Sequence, residues 1–329
     1  MANSRLRGSR NRILCIFAFA LGLLNFLASP AAAQQHPEGF AVERFYPSAP
    51  GGGWFVMDDL NISGGLGGAI ELTSGYARNP LEVTSPDRSQ KVLLVSGEAF
   101  VELGAAVTYD RYRLYLNLPM PFLVTGNSGT IGLFQLTAPN VTAGTNPDTV
   151  ADPRVGFDVR LLGKPGGRLR LGVGTQLIFP AGSRADYVSD ARYRAMLRLL
   201  AAGDSGAFSY AGQLGVHIRP LNDFPAPGSP NGSEFLFGGS IGRKFPLRPN
   251  WNIVVGPEIY GETAFHSFFN SEQTGAEGLI TTRLERTGSA SNLRFKVGFG
   301  HDLVPHFGAP QWRVLVGVEV FAQRAGNHN

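Results

Sequence analysis

The chain has 329 residues, of which 43 are glycine and only 16% are charged, a composition that favours β structure with many turns. Its formal charge of +4 and pI near 9.3 suggest a basic protein until the charge is located. Four of the 29 basic residues, Arg5, Arg7, Arg10 and Arg12, precede an apolar run; without them 25 face 25 acidic residues, which excludes nucleic acid as a partner.

Residues 1–33 read as a signal peptide: those arginines, the apolar stretch Ile13 to Leu27, then Ala31, Ala32 and Ala33, with cleavage expected after Ala33. Cys15, the single cysteine, lies in the apolar stretch behind Leu14, so a lipoprotein signal is not expected. The exported chain then has no disulfide and no thiolate metal site.

Residues 34–63 combine Pro37, Pro47, Pro50 and Gly51 to Gly53 ahead of Trp54, which argues against regular structure. This segment is expected in the periplasm as a lead-in or partial plug that docks at or inside the near mouth of whatever follows. Trp54, Phe55 and Val56 would be its apolar anchors, since large side chains are costly to leave in water.

Residues 64–323 alternate. In Asp152 to Pro180, Val155, Phe157, Val159 and Leu161 share one face and Arg154, Gly156, Asp158 and Arg160 the other. After Lys164-Pro165-Gly166-Gly167 the pattern returns, with Leu169, Leu171 and Val173 against Arg168, Arg170 and Gly172. Similar arms run over 65–78, 91–109, 111–118, 188–202, 206–219, 232–245, 250–260, 277–286, 290–300 and 311–321, making about 12 strands. An amphipathic helix competes over Ala191 to Ala202, where Met196, Leu199 and Leu200 could form one stripe.

Short connections at 109–111, 163–167, 203–205, 246–249 and 287–289 alternate with long ones, the longest being Pro119 to Ala151. That alternation predicts an all-β fold, an up-and-down antiparallel transmembrane β-barrel with short periplasmic turns and long outer loops. No run after residue 33 is long and apolar enough for a helical span. Closure is obligatory in lipid, so Gln311 to Phe321, with Trp312, Val314, Val316, Val318 and Val320 on one face, must pair with the first arm. The aromatic near its end implies the barrel-assembly machinery as a partner, and residues 324–329 form a short tail. Aromatics near arm ends, among them Tyr76, Tyr109, Tyr112, Phe179, Phe245 and Trp251, suit interfacial girdles against outer-membrane lipid.

The opposite face lines the lumen. Its charges are acidic on the first arms, through Glu71, Glu98 and Glu102, and on the closing arm through Glu319. They are basic on arms three to six, through Arg111, Arg113, Arg154, Arg160, Arg168, Arg170, Arg192, Arg194 and Arg198, relieved by Asp158. Glu234, Glu258, Arg283, Glu285, Arg294, Lys296 and Arg313 complete the set. If the two signs touch they close the lumen; if water separates them, a narrow passage of weak anion preference is expected.

At Gly39 to Leu60 (GFAVERFYPSAPGGGWFVMDDL) and Asp152 to Leu162 (DPRVGFDVRLL) the chain resembles the barrel region of OmpA-family outer-membrane proteins of Gram-negative bacteria. Such relatives carry an F-x-x-x-R-F-x-P-S approach and a G-x-x-W-F step, matched by Phe40, Arg44, Phe45, Pro47, Ser48, Trp54 and Phe55. The resemblance implies an outer-membrane barrel; with eight residues after Phe321, the peptidoglycan-binding domain and its wall-anchoring role are not carried over. A looser similarity is to outer-membrane channels for hydrophobic compounds, whose N-terminal segment plugs the lumen.

Enzymatic chemistry is not expected. His266-Ser267 in a long loop is similar to the pairing in lipid-A-deacylating barrels, but a surface histidine is the plainer reading. His301, Asp302 and His306 lack a strong metal-ligand spacing, His217 reads as a solvated lumen residue, and no cofactor is expected. The leading expectation is a narrow channel or transporter for small solutes. A structural or surface-recognition barrel with a filled lumen is second, and a lipid-modifying enzyme a distant third; oligomeric state is left open.

Overall fold

The computed structural model describes residues 37–62, 64–142, 150–221, 232–288, 291–306 and 308–323, so the stretch expected as a signal peptide and the expected C-terminal tail lie outside the described residues. Fifteen strands are present among them. Twelve form the barrel: β1 (Leu66–Thr84), β2 (Lys91–Tyr109), β3 (Tyr112–Thr125), β7 (Arg154–Leu162), β8 (Arg170–Ile178), β9 (Arg194–Ser205), β10 (Phe208–Ile218), β11 (Glu234–Arg248), β12 (Trp251–Ala264), β13 (Thr274–Arg286), β14 (Asn292–Val304) and β15 (Trp312–Gln323). Each is antiparallel to its chain neighbour, and β1 pairs with both β2 and β15, Glu71 opposite Glu319, so the ring closes without an edge. The only helical turn described is a 3₁₀ turn at Phe265–Ser267.

Alternation explains why the ring suits lipid. In β15 the odd residues Arg313, Leu315, Gly317 and Glu319 are buried, while Val314, Val316, Val318 and Val320 are exposed. The same outward row continues through Leu114, Phe157, Leu177, Leu199, Leu214, Ile241, Ile259, Ile280 and Val297. A continuous apolar belt of this extent is costly in water and stable against hydrocarbon.

The two rims differ. At one, strands are joined by tight turns such as Asp110-Arg111 and Gly206-Ala207, where Asp110 and Gly206 take φ of 53° and 57°, the left-handed conformation a two-residue turn requires. At the other, longer connections fold inward. Phe40, Val42, Leu81, Val83, Leu94, Val124, Ile131, Leu136, Val141, Tyr187, Val188 and Leu221 form one apolar cluster that caps this rim. The stretch 119–151, expected as one long loop, is largely structured: β3 runs on to Thr125, β4 (Gly129–Ile131) pairs with β5 (Phe134–Leu136), and β6 (Val141–Thr142) adds to β3.

One arm is shorter than its alternation suggests. Residues 188–202 were expected as a strand, yet β9 starts only at Arg194, because Tyr187 and Ala191 have φ of 61° and 52° and break the extended chain. From Arg194 the segment is strand, not helix, paired with β8 and β10.

Candidate functional site

The lumen contains part of the chain itself. Phe40 and Val42 belong to the cap at the long-loop rim, and Ile62 reaches the short-turn rim, where its carbonyl accepts from Arg160 Nη2 at 2.9 Å. Residues 37–62 therefore run from one rim to the other before β1 begins. Leu66 then starts β1 at the short-turn rim.

Proline and glycine keep this inner segment out of the barrel's sheet, so its backbone groups need other partners. Ser48 N donates to the Phe55 carbonyl, Gly52 N to Ala49, and Asp59 N to Gly52, which folds residues 48–59 into a compact loop. The outer side of that loop is left with the amides of Phe55, Val56 and Met57. All three donate to one carboxylate, Glu258 on β12, at 3.0, 3.0 and 3.2 Å, and Thr281 on β13 adds its hydroxyl at 2.6 Å.

Side chains lock into gaps in the wall. Trp54 is fully buried with the Arg283 guanidinium 4.5 Å above its ring, and Phe55 lies 5.0 Å from Lys296 Nζ. Inward-facing glycines make the room: a Cβ on Gly242 would stand 2.6 Å from Trp54 Cη2, and one on Gly238 would stand 2.4 Å from Met57 Cε. Part of the chain's glycine thus serves close approach, not turns.

Ion pairs tie the segment to the wall along its length. Asp58 pairs with Arg113, Asp59 lies 3.8 Å from Arg294, and Glu43 takes both Nη atoms of Arg313 at 2.8 and 2.9 Å. Arg44 meets Glu234 and Glu262 at 3.4 and 3.2 Å. At the long-loop rim the Ala41 amide donates to Asp190 at 2.8 Å. Burial alone would raise the Asp190 pKa, but the guanidiniums of Arg219 and Arg194 hold it well below the usual carboxylate range. Burial lifts the Tyr187 hydroxyl nearby to about 12 and lowers His306 to about 4.

Most residues expected in the lumen face this segment. Glu71, Glu98, Glu102, Arg113, Arg154, Asp158, Arg170, Arg194, Arg198, Glu234, Glu258, Arg283, Arg294, Lys296, Arg313 and Glu319 are buried, and Arg160 and Glu285 half-buried. The acidic and basic sets touch: Lys296 bridges Glu71 and Glu319 at 2.6 and 2.7 Å, Arg154 pairs with Glu102, and Arg113 and Arg198 share Asp158. Three expectations are corrected. Arg111, Arg168 and Arg192 lie outside the strands and are exposed; Arg111 sits in a two-residue turn beside Asp110, and Arg168 and Arg192 precede the first paired residues Arg170 and Arg194.

Glu262, Glu277, Asp204 and Arg219 were missed. The first two share the inward parity of Glu258 and Arg283, and Glu262 was lost because the arm was ended at Tyr260, four residues before β12 stops. His217, expected to be solvated, is fully buried beside Glu234 and Glu262.

Between segment and wall, among the described residues, lie cavities of about 50 and 20 Å³. The larger has room for roughly three or four waters. Neither is large enough to carry a solute.

A closed ring of twelve antiparallel strands, apolar outside and ionic inside, defines a transmembrane β-barrel protein. No family model matches the chain, OmpA-family or other, so the family resemblance at 39–60 and 152–162 is not carried further. No curated protein matches it either. Among solved structures it is similar to an outer-membrane channel from Pseudomonas putida F1, with 12% identity over 79% of this chain and 95% of that one and a TM-score of 0.47. It is also similar to the NanC porin, with 6% identity over 78% and 100% and a TM-score of 0.44. The CymD monoaromatic hydrocarbon channel shows 7% identity over 82% and 91%, with a TM-score of 0.38.

Proposed function

We propose that the protein is an outer-membrane channel for small solutes, closed at rest by its own residues 37–62. The observation that carries this reading is the chemistry of the contact between segment and wall. A permanently filled interior is most cheaply made apolar, because burying paired charges costs desolvation that attraction only partly repays. Here the strands present a wall of arginine, lysine and glutamate that would be well solvated in an open lumen; many of these charges pair with one another, and the segment adds matching charges to Arg113, Glu234, Glu262, Arg294 and Arg313 when closed. Export would follow cleavage after Ala33, short turns would lie in the periplasm, and the barrel-assembly machinery would insert the chain.

A filled structural barrel is the second reading, favoured by the sheer continuity of the ion pairs. Single-channel recording on refolded protein separates the two. An ideal Cβ on Gly51 lies 3.3 Å from Ala69 Cβ, just inside disulfide distance, so Gly51→Cys with Ala69→Cys allows the segment to be tied to β1; because Gly51 has φ of 86° and a side chain there is strained, the wild type is recorded beside the reduced pair. Discrete currents that vanish on oxidation and return on reduction are expected. Silence of both the reduced pair and a chain lacking residues 39–62 would leave the filled barrel.

A further inference from the structure

One cluster in the long-loop half of the lumen does more than hold the segment. His217 stands opposite Glu234 in the β10–β11 register, and Glu262 is opposite Leu236 in β11–β12, so three strands bring the three side chains together. All are buried. One ligand atom from each lies within 4.8 Å of the others. His217 Nδ1 is 3.3 Å from Glu262 Oε2 and 3.4 Å from Glu234 Oε2.

Those separations are long for charge-assisted hydrogen bonds, the His217–Glu262 contact being a weak one at 3.3 Å, and they suit an ion. Charge-assisted bonds settle near 2.7–2.9 Å, as Lys296 does with Glu71 and Glu319 at 2.6 and 2.7 Å. A tetrahedral ion with bonds of about 2.0–2.1 Å instead spaces its ligands roughly 3.3–3.4 Å apart. Glu234 Oε2, which faces His217 Nδ1, is also buried without a hydrogen-bond partner. One imidazole with two carboxylates suits zinc-class ions; calcium and magnesium seek more oxygen ligands.

The positive charge now over the two carboxylates comes from the inner segment. Arg44 Nε lies 3.2 Å from Glu262 Oε2 and Arg44 Nη2 lies 3.4 Å from Glu234 Oε1, while Arg219 Nη1 shares the latter oxygen at 3.4 Å. We propose that His217, Glu234 and Glu262 form a site for one divalent transition-metal ion of the zinc class, and that Arg44 competes with the ion for the two carboxylates. A guanidinium cannot shed its proton to relieve repulsion from an arriving dication, so it must withdraw. Arg44 also donates to the Ala41 carbonyl at 2.7 Å, so its withdrawal loosens residues 41–44 where they meet the cap. This last consequence rests on the segment being the closing element.

The test is titration of the refolded full barrel with Co²⁺, read by visible absorption, followed by displacement with Zn²⁺. One ion per chain is expected, with a dissociation constant raised at least about 10-fold in His217→Ala. His217→Gln, which keeps a neutral polar side chain in place, serves as the second variant, and retained heat-modifiable migration reports an intact barrel. Arg44→Ala should bind about 10-fold more tightly, a gain that a merely structural arginine would not produce. Binding that is absent from both wild type and Arg44→Ala, or indifferent to His217 or to Arg44, overturns the proposal. In bilayers Zn²⁺ should raise open probability in wild type and not in His217→Gln. Stoichiometric, His217-dependent binding with unchanged current would leave the site standing and refute the segment as the gate.

Discussion

The firmest prediction concerns Glu258. Its carboxylate receives the amides of Phe55, Val56 and Met57 and the hydroxyl of Thr281, and it is fully buried. Glu258→Ala leaves three amides without a partner in the lumen, each costing about 1–3 kcal/mol when buried. Water entering the space left by the side chain recovers part of this, so a net loss of about 3–5 kcal/mol is expected, shifting the docked segment toward release by roughly two to four orders of magnitude. The assay is maleimide labelling of a single cysteine placed at Val56, which is 3% exposed when the segment is docked, alongside single-channel recording. Labelling should speed up by a similar factor and openings should become frequent. Glu258→Gln, which keeps one acceptor oxygen, should fall between. If Glu258→Ala labels no faster than the parent and passes no more current, the amide–carboxylate anchor does not hold the segment.

Other consequences follow from the same contacts. Gly242→Val drives side-chain atoms into Trp54 and should cost the docked state about 1–3 kcal/mol, seen as faster protease release of the segment. Arg168→Ser should leave conductance and stability within about 0.5 kcal/mol of the parent, because Arg168 is exposed, whereas Arg198→Ser breaks a buried pair with Asp158 and should alter both. His306 titrates near 4 when folded against 6.5 free, so the stability it contributes is complete above pH 6.5 and lost as pH falls toward 4. Hydrogen exchange across residues 300–306 and 308–312 should accelerate through that window, and His306→Gln should flatten the dependence. Trypsin added to intact cells should spare Arg168, exposed in the β7–β8 turn and followed by Leu169, if that rim is periplasmic.

The barrel was legible in the sequence because its signals are local. A period of two assigns each side chain to a face from its immediate neighbours, so Val155 and Phe157 outward and Arg154 and Asp158 inward need no distant contact. Short and long connections in alternation set the strand number and the rims, and closure of β15 on β1 follows from the absence of water in lipid. Reading weakened where the period breaks, at the left-handed residues before β9 and at strand ends, and there Arg192 was gained and Glu262 lost.

What only the tertiary structure decided is the state of the lumen. Parity says that Glu258 and Glu71 point inward but not what they meet, and the answer lies about two hundred residues away in one case and at Lys296 in the other. The inner segment has no periodicity; its course is set by pockets, charges and missing Cβ atoms on strands far along the chain, such as Gly238 and Gly242 on β11 and Glu258 on β12. Local sequence determined a wall with a polar inner face. Whether that face meets water or the chain's own residues is a matter of long-range complementarity, which exists only once the ring has closed.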